Sequence, residues 1–256
     1  MRDILLLETI YGPFWYDLIT FFRSKIKNLF EDLELNIESI ILTERGNIYV
    51  RFSGSDEEFA YNLLKKEYHI CQEIENFKSD SVYYGKFIDI NKYGYGFYVN
   101  IGAYMGDTFS DALIPLYKLR EQLVNNSKVS SRKIIYSFGL INQMPVEVQI
   151  KKIDFSSAKI DAEFSKKQLK KFNKWIDAGN DRVNLGGVLK RKIKESLKKT
   201  GHEDDIIKIE KLGLFEYSMV CKEGTSAPGI IAHIGPKLRG IEMNAFIPSK
   251  IINFKK

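Results

Sequence analysis

Between residues 81 and 164 the chain is cut into short β-branched and aromatic runs separated by glycine or a polar turn, and this punctuation restricts the fold more than any other feature. Residues 82–90 read as a strand and 91–94 as a turn. Residues 96–102 form a second strand, with Phe97, Val99 and Ile101 on one face and Tyr98 and Asn100 on the other. Residues 112–116, 145–154 and 159–164 supply three more. Five short strands with glycine at the corners predict a small barrel. The stretch 117–144 interrupts it with two short helical patterns, one on Leu119, Leu123 and Val124 and one on Ile134, Ile135 and Phe138 after Ser130. This pair can cap the barrel or dock a partner.

The flanks follow other periods. Residues 3–9 predict a strand, and 14–30 a helix with Phe14, Leu18, Phe21, Phe22, Ile26 and Leu29 near helical spacing. Residues 35–43 and 48–52 form a hairpin around Glu44-Arg45-Gly46-Asn47. Ser55-Asp56-Glu57-Glu58 then predicts a capped helix to about Tyr68, and 71–78 an extension of it or a linker. That order is a ferredoxin-like α/β sandwich without its last strand. Downstream, Ser165 caps a helix over 166–177, 180–187 reads as a loop, and 188–200 is a second helix ended by Gly201. Strands at 206–211, 214–222 and 241–248 and a helix at 229–238 complete an α+β unit. The expected layout is three small domains: an α/β sandwich at 1–79, a five-stranded barrel with its helical insertion at 80–165, and a basic α+β domain at 166–256.

The formal net charge of +6 conceals an asymmetry: up to Ser165 there are 19 basic and 23 acidic residues, a net of −4, and from Lys166 onward 20 and 10, a net of +10. Residues 166–199 alone hold 12 basic and 3 acidic side chains. Leu169, Phe172 and Ile176 share one face of the first helix, leaving Lys170, Lys171 and Lys174 outward; Lys190, Arg191 and Lys194 do the same on the second. A basic stripe of this kind attracts phosphates by counterion release, and lysine in place of arginine favours backbone attraction over base readout. The bland alternative is a solvated lysine face.

The barrel run resembles the S-one RNA-binding domain, an OB-fold module with a glycine-flanked strand, a "G-[AF]-[FY]-V-x-[LI]-G" strand like Gly96 to Gly102, and a "V-x-V-x-x-[IV]-D" strand near its end, where this chain has the strand 145–154 ending in Ile153-Asp154. The resemblance implies that Tyr95 and Tyr98 hold the aromatic positions of the nucleic-acid face, with Asp154 and Lys159 as the polar and basic positions beside them. Two departures stand out: Pro115 occupies the place of the usual histidine, and the 117–144 insertion is longer than the typical module carries. Tyrosines are also common at half-buried strand positions, so the strand pattern around them, rather than the rings, points to RNA.

Asp181-Arg182-Val183-Asn184, Leu212-Gly213-Leu214, residues 221–236 and Asp111-Ala112-Leu113-Ile114-Pro115-Leu116 are similar to an archaeal family catalogued as domain of unknown function 2110. That resemblance implies an archaeal cytoplasm and the three-part layout, and it supplies no activity.

Cys71 and Cys221 lie too far apart in sequence for a CxxC metal spacing, and no run of about 18 apolar residues exists to span a membrane. His69, His202 and His233 have no metal-ligand spacing, and Asp204-Asp205 reads as loop composition. The expectation is a cytoplasmic, non-catalytic RNA-binding protein of translation or RNA processing, with no metal or cofactor and no membrane partner. The ribosome or an RNA polymerase is the candidate assembly. The alternatives are a protein-interaction adaptor on one of those assemblies and an enzyme with an inter-domain pocket.

Overall fold

In the computed structural model, which describes residues 1–255, the first unit runs β1 (Arg2–Thr9), α1 (Trp15–Leu29), β2 (Leu35–Leu42), β3 (Asn47–Gly54) and α2 (Glu57–Glu67). The sheet is antiparallel in the order β1-β3-β2. Leu18, Ile19, Phe22 and Ile26 bury one face of α1 against Ile4, Leu6, Val50 and Phe52. Phe21, expected inward, is 45% exposed and meets Phe215 edge-on at 6.1 Å. No side-chain cap forms on α2, because the Asp56 carboxylate instead accepts a hydrogen bond from Glu34 N. The absent fourth strand is replaced by one bridge, Leu6 to Ile70, with Leu7 N donating to His69 O and Cys71 N to Leu5 O, both at 2.8 Å. Where a helix extension or linker was expected, the chain forms β4 (Gln72–Glu73) and a 3-10 turn at Ile74–Asn76.

The second unit contains β5 (Val82–Ile88), β6 (Gly96–Asn100), β7 (Ala103–Met105), β8 (Thr108–Phe109), β9 (Ala112–Pro115), α3 (Leu116–Val124), α4 (Ser131–Ser137), β10 (Pro145–Asp154) and β11 (Lys159–Phe164). Strands β10-β11-β9-β6-β5 close into a barrel in which only β9 and β11 run parallel. Tight closure explains Gly85: a Cβ there would lie 2.5 Å from the Val99 side chain and 2.8 Å from Asn100 O. The β7–β8 hairpin joins β4 in a small separate sheet. Leu119, Leu123, Ile134, Ile135 and Phe138 of the insertion are buried in the barrel's own cluster, so the insertion caps the barrel. Ser130 caps α4 by accepting from Lys133 N at 3.2 Å.

Next come α5 (Lys166–Asp177), β12 (Arg182–Gly186), α6 (Lys190–Thr200), β13 (Ile206–Lys211), β14 (Glu216–Cys221), α7 (Ala227–Ile234), β15 (Met243–Phe246) and α8 (Pro248–Lys255). The sheet order is β13-β14-β12-β15. Two assignments need correction: the expected loop at 180–187 contains the fully buried strand β12, and the expected strand at 241–248 is the short β15 followed by α8. β12 does alternate, with Val183 and Leu185 in the C-terminal core and Arg182 and Asn184 on the opposite, equally buried face, but it is only five residues long and runs into Gly186-Gly187, so its surroundings read as loop.

The units interlock. Phe172, Trp175 and Ile176 of α5, with Phe246 and Ile251, pack into the barrel cluster, while Leu214 and Phe215 from the β13–β14 turn enter the N-terminal core. At the junction, Lys86 Nζ of the barrel lies 3.6 Å from Glu216 Oε1 of β14, at 1% and 0% side-chain exposure. The Tyr11 hydroxyl donates to Glu216 Oε1 at 2.9 Å, Lys86 Nζ donates to Thr9 Oγ1 at 3.4 Å, and Thr9 Oγ1 donates to Gln143 Oε1 at 2.8 Å. Among the described residues no helix is long and apolar enough to cross a membrane.

Candidate nucleic-acid interface

Alternation along β6 drives Phe97 and Val99 inward and turns Tyr98 out, while the β5–β6 turn carries Tyr93 and Tyr95 to the same place. The three rings form one patch, with centroids 5.5 Å apart for Tyr93–Tyr95, 5.2 Å for Tyr93–Tyr98 and 6.3 Å for Tyr95–Tyr98. The Tyr95 and Tyr98 hydroxyls lie 2.9 Å apart, and Tyr95 is 53% exposed. The hydrogen bond with Tyr95 and then partial burial push the Tyr98 phenol up to about 12, so it is neutral at physiological pH. Tyr93 and Tyr98 line a cleft of about 450 Å³ with Arg45, Lys92, Asn100 and Asp111. Lys92 stands 5.2 Å over the Tyr93 ring, and Arg45 grips Asp111 through Nη1 at 2.9 and 3.0 Å. Burial raises the Asp111 carboxyl while Arg45 pulls it back down. Arg45 sits in the β2–β3 turn of the first unit, so local pattern gave no sign of it; Lys92 and Tyr93 adjoin the Tyr95 turn and were within reach of the sequence.

Asp154 and Lys159 pair in register at the ends of β10 and β11. The Asp154 carboxylate is taken up by the turn: it accepts from Ser156 N at 3.0 Å, Ser156 Oγ at 2.6 Å and Ser157 Oγ at 2.7 Å. The serine hydrogen bonds bring its carboxyl down to about 2. Lys159 is exposed beside it, and the same turn presents Phe155, 49% exposed.

The basic helices part company. α5 packs on the barrel and directs Lys170, Lys171 and Lys174 into a cleft shared with Arg182, whereas α6 packs through Ile193 and Leu197 in the C-terminal core. Lys190, Arg191 and Lys194 line a separate shallow surface with Glu195, Lys198 and Glu203. A single stripe along paired helices is therefore not what forms, because each helix answers to a different apolar cluster.

Other features proved structural. The α7 N-terminus is filled from within: Ala227 N donates to Asp181 Oδ2 at 3.1 Å. His69 stacks on Tyr84 at 3.7 Å, and His202 stacks on His233 at 4.6 Å while its Nδ1 lies 2.6 Å from Asp205 Oδ2. Cys71 and Cys221 are buried, and burial pushes both thiols up to about 12. Among the described residues, no group of three or more His, Cys, Asp or Glu side chains could hold a metal ion.

Fold and site together define a three-part α+β protein whose central closed barrel exposes an aromatic patch. Models of the DUF2110 N-terminal, central and C-terminal domains match residues 3–73, 77–176 and 180–246, and the chain belongs to the DUF2110 family. No curated protein matches it. Among solved structures it is similar to an uncharacterized protein from Methanocaldococcus jannaschii, at 14% identity over 36% of this chain and 96% of that one, with a TM-score of 0.24. It is also similar to a chain of an a/eIF2alpha–aDim2p–rRNA complex from Pyrococcus horikoshii, at 12% identity over 50% of this chain and 65% of that one, with a TM-score of 0.26.

Proposed function

We propose that this protein binds RNA without catalysing a reaction on it, with the face of Tyr93, Tyr95 and Tyr98 as the base-contacting surface. The observation that carries the reading is the convergence of three partly exposed tyrosine rings on one strand and its preceding turn, beside a cleft rimmed by Arg45 and Lys92. Small five-stranded barrels hold oligonucleotides across their second and third strands and through the loops after the first and fourth. Here those are β6, β9, the turn with Tyr93 and Tyr95, and the turn with Phe155 that leads into Lys159. The rings offer stacking surfaces that tolerate any base. A role in translation or RNA processing rests on the S-one resemblance.

The test is binding of a short single-stranded RNA by Tyr98→Ala. One lost base stack is worth about 1–3 kcal/mol, a weakening of about 5- to 150-fold. Tyr98→Phe retains most of the affinity, because the ring face survives. Wild-type protein that ignores RNA at low salt overturns the proposal. A protein-docking reading is favoured by a different place, the exposed Trp15, Tyr16 and Phe21 of α1. It predicts a partner that stays bound after nuclease treatment and is lost on Trp15→Ala.

A further inference from the structure

A second cleft, of about 610 Å³, opens between α5 on the barrel and strands β12 and β13 of the C-terminal sheet. Its wall carries Lys167, Lys170, Lys171, Lys174 and Arg182 against two carboxylates, Glu147 and Glu210. Glu147 is engaged by Lys167 at 2.9 Å, and Glu210 by Arg182 at 2.5 Å and Lys208 at 2.7 Å. That leaves Lys170, Lys171 and Lys174 without a carboxylate partner among the described residues. Lys171 and Arg182 also crowd one ring: their cationic groups stand 5.3 and 4.5 Å from the Trp175 centroid.

Two fully buried donors of residues in this wall remain unsatisfied. Arg182, 5% exposed, has no hydrogen-bond partner for Nε; Gln168, 3% exposed, accepts from Glu147 N through Oε1 and has no partner for Nε2. Buried polar groups are ordinarily paired, so two unpaired N–H groups beside three lysines that have no salt bridge among the described residues, in a wall of five cations and two carboxylates, describe a place short of an acceptor and of negative charge. Burial lowers the Lys171 ammonium, Glu210 and Glu147 oppose that shift, and the neighbouring Arg182 and Lys167 cations add to it.

We propose that this cleft is a binding site for a phosphate group, carried on an RNA backbone or free in solution, held by Arg182, Gln168 and the lysines of α5. Trp175 is 5% exposed and packed between Phe172, Phe246 and the two cations, so it takes no base. The ligand chemistry is an oxyanion and not a nucleobase. The site stands apart from the barrel tyrosines and spans the two units, so an occupied cleft ties α5 to β12.

The chain has two tryptophans, Trp15 and Trp175, so Trp15→Phe leaves Trp175 as a single reporter against the cleft wall. Inorganic phosphate, pyrophosphate and a short single-stranded RNA are titrated at constant ionic strength while its fluorescence is followed. Expected is a saturable change that is at least ~10-fold weaker in Lys171→Gln/Lys174→Gln, two changes on α5 whose folding is checked by thermal melting. Saturation by inorganic phosphate or pyrophosphate identifies a free phosphate group as sufficient. Saturation by RNA alone, weakened by a methylphosphonate linkage, identifies the backbone. No saturable change with any probe, or a change that keeps full affinity in the lysine variant, overturns the proposal. Tyr98→Ala separates the two readings, since it lowers RNA affinity through the barrel and leaves the phosphate titration unmoved.

Discussion

Replacing Lys86 with methionine tests whether the junction of the three units depends on charge pairing. Lys86 and Glu216 are effectively inaccessible, and Nζ and Oε1 are 3.6 Å apart. Removing one partner of such a pair strands the other charge in a low-dielectric interior, at about 3–5 kcal/mol. Lys86→Met falls toward the lower end, because Glu216 keeps the Tyr11 hydroxyl at 2.9 Å and Phe215 N at 3.3 Å as donors. Glu216→Leu falls toward the upper end, because the ammonium keeps only the neutral Thr9 oxygen at 3.4 Å. In the double variant no buried charge survives, and the main loss is the Tyr11 hydroxyl left without an acceptor, about 1–3 kcal/mol. The readout is urea denaturation of the full chain followed by circular dichroism, with each midpoint shift converted through the slope. The singles together should cost about 6–10 kcal/mol and the double far less, a coupling of several kcal/mol. A double variant as unstable as the sum of the singles refutes the argument.

Leu123→Ala in the insertion helix should cost about 2–5 kcal/mol in the same denaturation experiment, since that side chain is 2% exposed and belongs to the barrel cluster; a change under about 0.5 kcal/mol, the range of a surface substitution, would mean that the helix does not cap the barrel. Asp154 supplies an acid-sensitive contribution: its folded carboxyl lies at about 2 against an ordinary 3.8, so its stabilising effect is complete above 3.8 and is lost as pH falls toward 2. Asp154→Asn should remove that part of the acid sensitivity of the melting temperature, and an unchanged pH profile would count against the turn. Cys71 and Cys221, buried and held as thiols, should resist iodoacetamide in the native protein and react only after unfolding, which mass spectrometry reads directly.

The sequence by itself determined the elements whose signal is local. The barrel strands show their alternation and their glycine corners, Ser130 and Ser165 announce α4 and α5, and Tyr98 is turned outward by the two-residue period of β6. The family resemblance was also legible, because it rests on contiguous residues now matched by models along most of the chain. What escaped was each feature set by neighbours distant in the chain. β12 alternates over only four residues between Asn180-Asp181 and Gly186-Gly187, turn-forming neighbours that made 180–187 look like a loop, and only its pairing with β14 and β15 shows that it is a central strand. The apolar face of α5 says that the helix packs, and only the tertiary structure shows that it packs on the barrel while α6 packs elsewhere, which divides one lysine-rich stretch into two surfaces. Arg45 reaches the tyrosine cleft from another unit, and Arg182 arrives beneath Trp175 from a strand seven residues on. Periodicity records which side of an element meets apolar surroundings, whereas the partner it meets is chosen by shape and charge across the assembled chain, and both clefts lie where those choices bring separate segments together.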